Sequence, residues 1–100
     1  MPAQIHIDHQ KIAAFCRKWK ITECALFGSV LQEDFGPDSD VDVLISFSEN
    51  ADWSLYDWVD MIDDLRAIFG HEVDLVEKGT LRNPFRRRAI LNHKEIIYAA

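Results

Sequence analysis

Two hydrophobic periods alternate along the chain. Ile12, Phe15, Cys16 and Trp19 recur at the i, i+3, i+4, i+7 spacing of one helix face, with Lys11, Arg17 and Lys18 on the other side and Asp8 placed to cap the start. Residues 23–27 form a short apolar run ending at Gly28-Ser29, which reads as a strand followed by a helix start. Residues 33–40 are dense in turn formers and read as a loop. From Val41 the period changes to two: Val41, Val43, Ile45 and Phe47 face one way, and Asp40, Asp42, Leu44 and Ser46 the other. The result is a strand with carboxylates at one end of one face.

Ser54, with Asp57 three residues on as a weaker form of the capping box, opens a second long helix. Leu55, Trp58, Val59, Ile62, Leu65 and Phe69 make its predicted buried stripe, and Gly70 suits a left-handed C-terminal cap. Residues 72–77 read as a third strand, with Val73 and Leu75 on one face and Glu72, Asp74 and Val76 on the other. Asn83-Pro84 supplies a cap and a first-turn proline for a last helix reaching about Asn92, and residues 96–98 suit a short final strand. Strands separated by helical segments predict an α/β or α+β fold, a small sheet with helices packed mainly on one face.

Composition sharpens this picture. One hundred residues, 48% hydrophobic and 28% charged, with no linker, repeat or low-complexity tract, describe one compact soluble domain over residues 1–100. No apolar stretch approaches the roughly 20 residues that span a bilayer, and residues 1–12 lack the apolar centre of a secretory signal, so the expected address is the cytoplasm. Cys16 and Cys24 have neither C-x-x-C nor zinc spacing and read as small buried apolar residues. The net charge of -6 is unevenly spread: residues 21–77 hold 15 of the 17 acids and one base, Arg66, whereas residues 78–100 hold six bases against Glu95. An acidic body of this kind argues against non-specific binding to nucleic acid.

The chemistry concentrates in three acids. Aspartates at i and i+2 on a strand project side by side, so the carboxylates of Asp40 and Asp42 can share metal ions without distorting the backbone. Exposed strand ends carry such pairs too. Asp74, however, lies between Val73 and Leu75, where a carboxylate is costly unless paired, solvated or bound to a cation. Gly28-Ser29 at a strand-to-helix junction can receive a phosphate through backbone N–H groups and the serine hydroxyl, although a plain helix start has the same sequence. Together these parts match the needs of phosphoryl transfer: two metals about 3.5–4 Å apart, positioned by carboxylates, with little covalent work for the protein.

Gly28-Ser29, ten intervening residues and then Asp40-Val41-Asp42 resemble the G-S-x10-D-x-D signature of the polymerase-beta-like nucleotidyltransferase superfamily, and Asp74 in Val73-Asp74-Leu75-Val76 resembles its third carboxylate. Chain length and residues 81–87 further resemble the minimal nucleotidyltransferases, which are often encoded beside a HEPN-domain protein. The resemblance implies a mixed sheet flanked by helices, Gly28 and Ser29 at the triphosphate of ATP, and Asp40, Asp42 and Asp74 as catalytic residues on Mg2+, two ions in all. It also implies a hetero-oligomer with a HEPN toxin, silenced by transfer of AMP to one of its tyrosines, so that the chain is an antitoxin. Relatives often carry arginine soon after the Gly-Ser; here residues 30–34 supply no base, and the run Arg86, Arg87, Arg88 offers either replacement charge, a toxin contact or a solvated helix face. The alternative is a catalytically weak or inactive module that neutralises its partner by binding. Phe35, Trp53, Tyr56 and Trp58 offer stacking surfaces for a base but read first as core, and His6, His9, His71 and His93 show no ligand spacing.

Overall fold

The computed structural model describes residues 5–100; residues 1–4, which open the stretch weighed against a secretory signal, lie outside it. Helix α1 (His9–Lys18) begins where Asp8 accepts the Lys11 N–H and buries Ile12, Phe15 and Cys16. Strand β1 (Ile21–Phe27) pairs antiparallel with β2 (Val41–Phe47), and β2 pairs parallel with β3 (Val73–Glu77). Helix α2 (Leu55–Phe69) links those two parallel strands, as parallel pairing requires a crossover. It carries a complete capping box between Ser54 and Asp57 and ends at Gly70 with φ 70°. Helix α3 (Pro84–Asn92) is capped by Asn83, whose side chain accepts the N–H groups of Phe85 and Arg86, and β4 (Glu95–Ala99) returns antiparallel beside β1. The sheet order is β3-β2-β1-β4.

Alternation along the strands separates two cores. Cys24, Leu26, Val41, Val43, Ile45, Leu75 and Ile97 pack with α1 and with Met61, Leu65 and Phe69 of α2. The opposite face carries a smaller cluster of Ala25, Phe27, Leu44, Leu81 and Ile90, the last from α3. Helices therefore cover both faces, α1 and α2 one and α3 the other, so the sheet is flanked by helices packed mainly on one face, as expected. Two corrections matter. The helix expected at Gly28-Ser29 is a single 3-10 turn, Gly28–Leu31, whose Val30 and Leu31 are buried. Leu55 and Val59 lie exposed, and Met61 takes their place in the core.

Cys16 and Cys24 are buried and free, as expected of small apolar residues. A hydrogen bond with Cys16, with burial second, pushes the Cys24 thiol well above its ordinary pKa. No helix among the described residues is long and apolar enough to cross a membrane.

Candidate active site

Five of the residues singled out by sequence converge at one end of the sheet. The register sets Phe27, the last residue of β1, opposite Asp42, and Asp42 opposite Asp74. Neighbouring strands stand about 4.8 Å apart, so Asp42 and Asp74 project side by side from the face that also carries Leu44 and Val76. Asp40 lies just ahead of β2, where Val41 donates to the Glu72 carbonyl and so holds the start of the strand against β3.

Gly28 packs directly against Asp42. Its φ of 73° is left-handed, and a Cβ at this position would collide with the Asp42 carboxylate. The Ser29 hydroxyl donates to the Asp40 carbonyl at 3.2 Å, and the Ser29 backbone N–H donates to the Asp42 carboxylate. The turn and the acids are thus tied to each other instead of facing across a gap.

The electrostatics centre on Asp42. Its pKa is raised, first by burial, then by the charge of Asp74 and less by that of Asp40; the Ser29 N–H and the Arg86 guanidinium act in the opposite sense. Arg66, the one base of the acidic segment, pairs with Asp63 and Glu72 and leaves the cluster to other cations. Among the described residues no three His, Cys, Asp or Glu side chains are gathered in metal-holding geometry. Like charges on adjacent strands keep such carboxylates apart.

Arg86, which the sequence read first as part of a solvated helix face, is the one base among the described residues whose charge lowers the pKa of Asp42. Three residues after its cap, it lies in the first turn of α3, and α3 crosses the face bearing Asp42. Arg87 turns away and donates to the Lys78 carbonyl at 3.0 Å. The absence of a base after Ser29 also has a local cause, since Val30 and Leu31 plug the main core. Of the aromatic candidates, Trp53, Trp58 and Phe35 pack against that core, while Tyr56 stands in solvent.

Residues 9–97 match the nucleotidyltransferase domain family. The chain belongs to that family. Over 90% of its length this nucleotidyltransferase is 33% identical to a Methanocaldococcus jannaschii protein named as a putative protein adenylyltransferase, of which 86% is matched. It is 31% identical to the protein adenylyltransferase MntA of Thermococcus cleftensis, over 81% of this chain and 77% of that one. A crystal structure of a toxin-antitoxin with AMP-PNP shares the fold at TM-score 0.73 and 18% identity, covering 94% of this chain and 75% of that one. A tri-AMPylated Shewanella oneidensis HEPN toxin in complex with MNT antitoxin gives TM-score 0.64 at 16% identity, covering 92% and 70%. The mixed four-stranded sheet is therefore that of the minimal nucleotidyltransferases.

Proposed function

We propose that this nucleotidyltransferase moves AMP from ATP to a tyrosine hydroxyl of a partner HEPN-domain toxin, in a magnesium-dependent reaction that silences the partner. The observation that carries the reading is the position of Asp42, flanked by Gly28 on one side and Asp74 on the next strand. Three carboxylates offer only oxygen donors, which suits a hard divalent cation, and positive charge among them would relieve the repulsion that raises Asp42. Oxygen is the donor type that magnesium prefers. Bound there, it would neutralise phosphate charge and make the acceptor hydroxyl more acidic.

Asp40 and Asp42 would hold the ion, with Asp74 completing the set and taking the proton of the acceptor hydroxyl. As the acceptor oxygen bonds to the α-phosphorus, the bond from that phosphorus to the pyrophosphate breaks. Gly28, lacking a side chain, lets backbone approach the triphosphate, and the Ser29 hydroxyl adds a donor. Arg86 supplies the cation that residues 30–34 lack. The names of the similar proteins, protein adenylyltransferases and an MNT antitoxin held with an AMPylated HEPN toxin, support the acceptor and the antitoxin role.

One observation favours the rival, neutralisation by binding alone: the Ser29 N–H is engaged by Asp42 when a phosphate would need it. Incubation with labelled ATP, magnesium and the product of the neighbouring gene, tested as the HEPN-domain partner, separates the two. Label on the partner is expected, falling roughly hundredfold or more with Asp42→Asn. An unlabelled partner, or Asp42→Asn equal to wild type, would sink the transfer reading. Full neutralisation by Asp40→Asn and Asp42→Asn would establish the rival.

A further inference from the structure

Helix α2 departs from its own period at its start. Leu55 and Val59, spaced for the buried stripe, are 78% and 50% exposed, and Tyr56 between them is 85% exposed. Side chains this close on a helix form one continuous apolar face. In the first turn of α3, Phe85 is also 85% exposed. Residues of both helices line one cavity of about 690 Å³: Leu55 and Trp58 from α2, Arg86 from α3, with Leu75 and Leu81 completing its apolar wall. Four of the five large hydrophobic side chains exposed among the described residues thus belong to the two helices bordering one cavity. Exposed apolar surface of this kind marks an interaction site, and aromatic side chains are its usual anchors.

The cavity also borders the strand that carries Asp74. Val76 in its wall lies two residues after Asp74 on the same face of β3, and Arg86 in the same wall lowers the pKa of Asp42 through its charge. Strand β3 is at the edge of the sheet, so a chain segment entering the cavity runs beside the strand that carries Asp74. A small acceptor needs no such approach, whereas a protein acceptor needs both a seat and a channel for one side chain. Exposed Asp52 lines the cavity and exposed Asp60 stands one helical turn after Tyr56 on α2, so the face that complements this part of the surface is basic around its apolar anchors.

We infer that the exposed start of α2, the cavity and Phe85 together form the docking surface for the protein that accepts the nucleotidyl group. Its occupant is a basic, apolar-centred protein face that delivers a hydroxyl side chain to Asp74. The inference rests on the proposed transfer to a protein, and the test keeps the two apart. Affinity for the neighbouring gene product, tested as the acceptor of AMP, is measured by calorimetry for wild type, Tyr56→Ser/Phe85→Ser and Asp60→Lys, together with ATP affinity, melting temperature and AMP transfer. Both truncated side chains are exposed, so the double variant should melt and bind ATP as wild type does.

The double variant is expected to bind the partner at least about tenfold more weakly, with KM for the partner raised to match. Asp60→Lys should weaken association by a smaller factor and flatten its salt dependence. Partner affinity of the double variant within about twofold of wild type overturns the docking surface, as does a wild type that does not bind the partner. A wild type that binds through this surface but transfers no AMP leaves the docking surface standing and removes the transfer reading. A partner labelled by the double variant at unchanged KM does the reverse.

Discussion

Gly28 and Asp42 are one device. Left-handed backbone brings the strand-end turn onto the carboxylate, and the missing Cβ is what allows the approach. Gly28→Ala should therefore cost about 1–2 kcal/mol for the positive φ alone, seen in denaturant unfolding, and displace the Asp42 carboxylate so that transfer falls at least about tenfold. Unaltered transfer would separate the glycine from the chemistry. Asp42 also opposes folding. Its folded pKa lies above the unfolded value, so what it contributes to stability is complete below the unfolded pKa of about 3.9 and is lost as pH rises through the folded value. Asp42→Asn should accordingly melt a few degrees higher than wild type at pH 7 without magnesium, with the gain gone near pH 3. Magnesium should raise the melting temperature of wild type more than that of the variant. Equal melting at pH 7 would mean that the acids are already compensated.

At the scale of elements, α2 does two tasks with two ends. Its C-terminal part buries Met61, Leu65 and Phe69, and its first turns present Leu55, Tyr56 and Val59 to solvent. In those first turns Trp58 alone packs against the core, so the reciprocal Ser54–Asp57 cap carries much of the rest. Ser54→Ala should lower stability by about 1 kcal/mol, a loss of about 4–8 °C in melting temperature for a domain of this size, and weaken partner binding through fraying of the exposed turns. A melting temperature equal to wild type would show that the cap is redundant. The cap was legible because its residues are local in sequence. Exposure of Leu55 and Val59 was not, because helical period identifies a stripe but cannot say how far along the helix the sheet and α1 continue to cover it. The 3-10 turn at Gly28 escaped for a related reason: Val30 and Leu31 are drawn into the core, and the chain leaves the turn before a second helical turn can form.

For the whole molecule, the acidic body and basic tail are not separate parts. Lys94 reaches Glu23 at 3.0 Å in a partly buried pair tying the segment before β4 to β1, and the charge of Arg86 acts weakly on Asp42. The tail thereby returns cations to a segment whose only base, Arg66, is engaged by Asp63 and Glu72. Apart from the turn at Gly28, the sequence by itself determined the elements, their caps and the carboxylate pair, since periodicity, capping and i, i+2 projection depend only on near neighbours along the chain. It also singled out Asp74, but the compensation expected for a carboxylate between Val73 and Leu75 is supplied by water, because β3 is the edge strand and Asp74 lies exposed on it. Only the tertiary structure decided that Asp74 stands beside Asp42 across β2 and β3, that α3 covers the second sheet face, and that Arg86 lies near enough for its charge to act on Asp42. Those outcomes depend on strand register and on the packing of distant segments, which no local pattern encodes.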